Sequence, residues 1–300
     1  MYAIMGATGN TGSVVVEHLL AAGKKVRAIG RSAEKLHALA AKGAEPFIAD
    51  LTDATSLTRA FTGAEGAYLM IPPKPQSKNP LADRTQISDA ISSALITARV
   101  GRAVTLSSIG ADKPSGTGPV VGLHEMEEKL NRIAGLNVLH LRAGYFMENT
   151  LVEVPIIQST GTTAGNIRTD LKIPMIATRD IGAAAAQALI QADFTGHNTR
   201  ELLGQRDLTL PEAASIIGKA IRKVDLTYVV LPDAQVRASL IQMGASEQVA
   251  DLLVEMSNAM NSGHMRALEP RSAANTTSTS FETFVAEQWL PAFQATTKAA

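Results

Sequence analysis

Glycines at 6, 9 and 12 in the stretch GATGNTG follow the apolar run Tyr2 to Met5 and precede a segment with helical spacing, Thr11 to Ala22. A strand, a glycine turn and a helix start in that order bring backbone N–H groups and the positive end of the helix dipole to one point. A Cβ there would collide with an approaching phosphate. The chemistry this suits is the binding of a dinucleotide pyrophosphate: Gly6 permits the tight turn, Gly9 the close approach, Gly12 the contact between helix and strand. Thr8, Asn10 and Thr11 complete the loop. At the end of the second apolar run an acidic residue would hydrogen-bond a ribose 2′-hydroxyl, but the sequence reads Gly30-Arg31-Ser32. Arg31 offers a fork of donors, Ser32 a hydroxyl and Lys35 a further charge one turn on, a set that favours a 2′-phosphate and therefore NADP(H) over NAD(H). Asp50 and Leu51, closing the third run, fall beside the adenine; Asp50 equally suits capping of the next turn.

These residues need elements to hold them. Apolar runs at Tyr2–Met5, Lys25–Ile29, Glu45–Ala49, Ala67–Ile71, Ala103–Leu106 and Asn137–Leu141 are short enough for buried parallel strands. Between them Thr11–Ala22, Ala33–Lys42, Ala54–Phe61, Leu81–Arg99 and Leu123–Ala134 carry helical spacing. Ser32 and Asp53 stand at N-cap positions, and Gly23, Gly43 and Gly135 fall where helices should stop. The rhythm predicts an α/β fold, a doubly wound parallel sheet of Rossmann type, over residues 1–150. Residues 151–300 read as a smaller, mainly helical C-terminal cap for substrate, with the Ala-rich helix 178–192 returning to the sheet.

Composition narrows the function. Lys plus Arg and Asp plus Glu are both 28, and no basic run faces a row of phosphates, which argues against nucleic acid. Cysteine is absent, removing thiolate zinc and disulfides, and the histidines lack metal-ligand spacing, so no metal is expected. The glycine turn arrives too early for a signal peptide, and no run of about 18 apolar residues occurs. The expectation is a soluble, cytoplasmic protein with no membrane association.

GATGNTG at 6–12, Arg31, DLTD at 50–53, LSSIGAD at 106–112, LRAGYFMEN at 141–149 and IATRDIG at 176–182 resemble the NmrA-like branch of the atypical short-chain dehydrogenase/reductases. The resemblance spans most of the chain and is loosest in the cap. It implies an NADP(H)-preferring domain with nicotinamide near Ile71, Pro72, Pro73, Ser107 and the run Ala143, Gly144, Tyr145, Phe146. The wider superfamily uses a serine with a Tyr-x-x-x-Lys pair, in which lysine lowers the phenol pKa for proton transfer. Here the corresponding helix reads GLHEMEEKL, with His124 and Glu128 at the two positions. Four-residue spacing puts them on one helix face, where a carboxylate would favour the imidazolium and make His124 a proton donor, alongside Ser107. The plainer reading is a solvated histidine in an acidic first turn. Tyr145 and Phe146 wall the nicotinamide or belong to the core, and Asn149 binds substrate or caps the next helix.

Two functions follow. One is an enzyme passing hydride from NADPH to a small-molecule acceptor, namely a quinone, dye or other conjugated carbonyl, which delocalises incoming charge and so needs a dedicated acid less. The other is an NADP(H)-binding redox sensor acting through a protein partner. The loop 107–122, with four glycines and two prolines, reads as a mobile segment at the mouth of the site.

Overall fold

The computed structural model describes residues 1–299. All six apolar runs form strands: β1 (Tyr2–Ile4), β2 (Val26–Gly30), β3 (Glu45–Ile48), β4 (Gly66–Leu69), β5 (Arg102–Ser108) and β6 (Asn137–Ala143). The intervening helices are α1 (Asn10–Ala21), α2 (Ala33–Ala40), α3 (Ala54–Phe61), α4 (Pro80–Ala98) and α5 (Val121–Asn131). Local chemistry sets their ends. Ser32 and Asp53 accept from the backbone N–H of Lys35 and Thr55, capping α2 and α3. Gly23, Gly43 and Gly135 take positive φ just past α1, α2 and α5, a conformation that carries no Cβ penalty only in glycine.

The second half contributes β7 (Tyr145–Phe146), α6 (Glu153–Thr160), β8 (Thr163–Gly165), β9 (Ile173–Ile176), α7 (Thr178–Gln191), β10 (His197–Leu202) and β11 (Arg206–Leu208). It continues with α8 (Leu210–Ala220), β12 (Tyr228–Val230), α9 (Asp233–Gln242), α10 (Glu247–Asn261), α11 (Phe281–Phe284) and α12 (Leu290–Ala299). The central sheet runs β10-β6-β5-β4-β1-β2-β3, every neighbour parallel. The winding reverses at β1, which lies between β2 and β4. That reversal leaves a crevice outside the carboxyl end of β1, where open α/β sheets take ligands.

One face of the sheet is covered by α1, α2 and α7, with Val15, Val16, Leu19, Leu36, Ile181 and Leu189 in its core. The other is covered by α3, α4 and α5 through Leu57, Phe61, Ile87, Ile91, Met126 and Leu130. Helix α7 approaches α1 so closely that a Cβ on Gly182 would stand 2.6 Å from Val14 Cβ and 2.7 Å from the Thr11 carbonyl oxygen. The rest packs around Met147, Val154, Ile217, Phe281, Phe284 and Trp289, beside two small sheets, β11-β9-β7 and β12-β8. The polar connector at 271–280 is pinned: Asn275 is buried, its side-chain oxygen accepting from Ser272 N–H and its amide donating to the Pro270 carbonyl. No helix among the described residues is long and apolar enough to cross a membrane.

Candidate functional site

The glycine turn leaves β1 at the point where the winding reverses. Gly6 has φ +61°, the left-handed region that favours glycine. A Cβ on Gly12 would lie 2.2 Å from the Gly6 carbonyl oxygen and 3.1 Å from Ala7 Cα, so this glycine seats α1 against the turn itself rather than against the strand. Gly9 is the extended N-cap of α1 and offers no side-chain acceptor to the helix. A Cβ there meets only the Gly6 oxygen, at 3.3 Å. Gly9 and Asn10 are exposed and Thr8 is half-buried. The first N–H groups of α1 therefore face outward without a side-chain cap, the arrangement an anion occupies. Thr11 departs from the expectation in one respect: its hydroxyl accepts from buried Tyr68 at 2.9 Å, which leaves its backbone N–H for a ligand.

At the other end of the crevice Arg31 follows the last residue of β2, is exposed, and forms no ion pair with any described residue. Ser32 has its oxygen engaged in capping α2, 3.3 Å from Lys35 N, and the Lys35 side chain is exposed. Asp50 takes the turn role: one carboxylate oxygen accepts from Thr52 N–H at 2.9 Å and Thr52 Oγ1 at 2.8 Å, and these bonds hold its pKa below the usual range. Leu51 beside it is buried.

The strand ends above the switch point carry the remaining candidate residues. Ser107 is 2% exposed, and its hydroxyl donates to Glu127 Oε1 at 2.5 Å. Glu127, also buried, is gripped by Arg142, whose Nε donates to Oε1 at 3.1 Å and Nη2 to Oε2 at 2.6 Å. Ser107 and Arg142 are paired across β5 and β6, so both side chains point to α5. The guanidinium is held above its usual pKa against desolvation mainly by that bond. Glu127 was legible only as one of three acids in a first turn. The signal for it was Arg142, a cation inside the apolar run NVLHLRA, which burial obliges to find a carboxylate.

Glu128 does not meet His124; it is exposed and faces Arg132 at 3.6 Å. His124 is half-buried, with Nδ1 2.9 Å from the Ala111 carbonyl oxygen. A carbonyl only accepts, so Nδ1 carries the hydrogen and Nε2 is the nitrogen left for a reacting group. Ile71 and Ala143 are buried, Pro72 is half-buried and Pro73 exposed. Gly144 has no room for a side chain, since a Cβ would stand 2.4 Å from the Pro174 oxygen. Neighbours in a strand point to opposite faces, and Phe146 packs on the cluster under α1 while Tyr145 packs against the C-terminal core, both half-buried. Asn149 is exposed.

The loop expected to be mobile is packed. Ala111 and Thr117 are fully buried, a Cβ on Gly118 would lie 2.0 Å from the Leu252 oxygen of α10, and Ser115 O contacts His264 Nε2 at 3.0 Å. The loop after β4 is held by the same element, Ser246 N–H donating to the Pro75 oxygen at 2.8 Å and its hydroxyl to the Ser77 carbonyl. Helix α10 and its flanks thus grip both loops that rise from β4 and β5.

Beneath Tyr145 lies a small hollow lined by Thr150, Glu153, Thr163, Ile217 and Tyr228. Oε2 of Glu153 is buried there without a hydrogen-bond partner, and burial raises the carboxyl from 4.5 to about 7, against the opposing pull of Thr163 and Ala164. The raised value favours the protonated form on folding. This stability is complete below pH 4.5 and lost as pH rises to about 7, a difference of about 3 kcal/mol. Glu153→Gln is therefore expected to gain stability over wild type as pH rises from 5 to 8, read from urea midpoints; a gap independent of pH would refute the assignment.

This geometry can be set beside known proteins. The chain is 31% identical over 258 residues to quinone oxidoreductase 2 of Escherichia coli strain K12, covering 85% of this chain and 86% of that one. It is 28% identical over 260 residues to an NAD(P)H azoreductase of Xenophilus azovorans, with the same coverage. The crystal structure of the NADPH-dependent quinone oxidoreductase from Escherichia coli complexed with NADPH superposes with a TM-score of 0.81 at 29% identity, covering 95% of this chain and 99% of that chain. The model of the NmrA-like family matches residues 2–285, nearly the whole chain, and the protein belongs to that family.

Proposed function

We propose that this protein is an NADPH-dependent reductase that passes hydride directly to a quinone, dye or other conjugated carbonyl acceptor. The observation that carries the cofactor reading is the pairing of an uncapped, exposed helix start at Gly9 with an exposed, unpaired Arg31 at the end of the neighbouring strand. The names of the two relatives, a quinone oxidoreductase and an azoreductase, support the acceptor class.

The residues fit the dinucleotide along the crevice. Gly6, Thr8, Gly9, Asn10, Gly12 and the Thr11 N–H would hold the pyrophosphate at the positive end of α1, and Arg31 with Ser32 and Lys35 the 2′-phosphate. Leu51 would border the adenine, and Ile71, Pro72, Ala143, Gly144 and Phe146 the nicotinamide. NADPH, when bound, supplies the hydride. A quinone that accepts a hydride needs one proton to become the hydroquinone; His124, entering as the imidazolium with Nδ1–H on the Ala111 carbonyl, would give up its Nε2 proton and be left neutral with its remaining hydrogen on Nδ1. Ser107, its proton committed to Glu127, shapes the end of β5 and takes no part in the transfer.

Measuring NADPH oxidation against a panel of quinones, azo and triphenylmethane dyes, enones and aldehydes tests the reading. Turnover of at least one quinone or dye is expected, and tight NADPH binding with no turnover of any acceptor would overturn it. His124→Phe is expected to lower turnover about a hundredfold with NADPH affinity little changed. A loss of only a few-fold would remove His124 from the chemistry and leave hydride transfer standing.

A further inference from the structure

Tyr68, on β4, is fully buried, and its register partners are Ile4 of β1 and Val104 of β5. With them and Val15 it belongs to the apolar cluster under α1. A phenol in such a place carries a desolvation cost that a phenylalanine of the same shape would not. Burial pushes its pKa well up, so it remains a donor, and the acceptor it has is Thr11 Oγ1 at 2.9 Å.

Thr11 is the second residue of α1, where the glycine turn becomes helix. Before it, the turn is tied to the sheet by its backbone, Ala7 N–H donating to the Ile29 oxygen at 3.2 Å. On the helix side the tie is the Tyr68 hydroxyl, the one side-chain hydrogen bond to residues 6–13 among the described residues. Other contacts there are steric. A Cβ on Gly6 would stand 2.8 Å from Met70 Sδ, and one on Gly182 2.7 Å from the Thr11 oxygen. Close packing stops the turn from moving inward but does not hold it against moving outward or rotating. A hydrogen bond resists both, because it is directional.

We infer that Tyr68 is a positioning residue for the dinucleotide: by holding Thr11 from the sheet, it fixes the direction in which the Asn10, Thr11 and Gly12 N–H groups meet the pyrophosphate. This rests on the dinucleotide reading of the glycine turn and is independent of the acceptor. Donors aimed before the ligand arrives need no reordering on binding, so the burial of a phenol is offset by affinity.

Calorimetric titration of the full chain tests this with two probes: NADPH, and adenosine 2′-monophosphate, which carries the ribose phosphate but no pyrophosphate. Tyr68→Phe should weaken NADPH about fivefold or more and leave adenosine 2′-monophosphate within about twofold of wild type. Thr11→Ser, which keeps the hydroxyl, should bind both probes within about twofold of wild type. Thermal melts separate positioning from stability. Losing either hydroxyl alone strands a buried polar atom, whereas Tyr68→Phe combined with Thr11→Val strands none. The double variant should melt close to wild type yet bind NADPH as weakly as Tyr68→Phe.

NADPH affinity that never falls, or that recovers with stability in the double variant, overturns the inference and makes Tyr68 a core residue only. Equal weakening of the two probes overturns it as well, because the effect then does not lie at the pyrophosphate. Gly9→Val separates these failures from failure of the dinucleotide reading. If a folded Gly9→Val protein binds NADPH as tightly as wild type, the pyrophosphate lies elsewhere and the inference falls with the reading; a weakened Gly9→Val protein beside unaffected Tyr68 variants sinks the inference alone.

Discussion

Glu127→Ala is expected to cost about 3–5 kcal/mol in unfolding free energy, the largest effect of any single polar substitution in the sheet domain. The carboxylate is 3% exposed and sits between the Ser107 hydroxyl and both donors of the Arg142 fork. Removing it leaves a guanidinium buried between β6 and α5 without its hydrogen-bonded counter-charge, Asp112 and Glu201 acting on it only through space, and a hydroxyl with no acceptor. The ion pair itself need not be stabilising, since desolvating both groups offsets much of their attraction. Glu127→Leu combined with Arg142→Met is accordingly expected to recover most of the loss, because no charge is then stranded. Denaturant unfolding of the two single variants and the double variant decides the matter. A double variant as unstable as the sum of the singles would mean that the side chains act independently, contrary to the geometry.

The glycine turn should separate folding from binding. Gly9→Val is expected to weaken NADPH by at least about a hundredfold, or about 2.7 kcal/mol, while the chain stays folded. The backbone at Gly9 is extended, a conformation valine adopts readily, and the added Cβ meets only the Gly6 oxygen at 3.3 Å. Its methyl groups would fill the space in front of the helix start. Gly12→Val should do the reverse and unfold the turn, because its Cβ would lie 2.2 Å from the same oxygen, with the Gly6 carbonyl carbon at 2.7 Å. Calorimetric titration of NADPH and thermal melts of both variants distinguish the two outcomes. Unimpaired binding by a folded Gly9→Val protein would place the pyrophosphate elsewhere.

Most of the sheet was legible because its signals are local. Each strand is a short apolar run bounded by turn residues, each helix keeps its spacing, and Ser32, Asp53, Gly23 and Gly43 mark ends through bonds or backbone angles that reach no further than a few residues. The short strands of the second half were harder. β7, β8 and β11 span two or three residues each and exist through their partners, β9 and β12, so nothing within them announces a strand. The loop 107–122 misled for a related reason. Glycine-rich composition reports freedom of the isolated chain, whereas Gly110 and Gly118 are small to admit Met265 and the backbone of α10.

By itself the sequence determined the parallel sheet, the glycine turn at the mouth of its crevice and the arginine at the end of β2, since all three depend on residue type and spacing within about 30 positions. Tertiary structure alone decided which polar groups meet. Four-residue spacing put Glu128 on the same helix as His124, yet the carboxylate turned to Arg132 and the imidazole to the Ala111 carbonyl. One position earlier, Glu127 was drawn inward because Arg142 on a buried strand required a counter-charge, and Ser107 gave its proton to the same carboxylate. Charges on a solvated helix are cheap to place anywhere, but those under its buried face are fixed by what the neighbouring strand presents, and that neighbour is known only once the chain has folded.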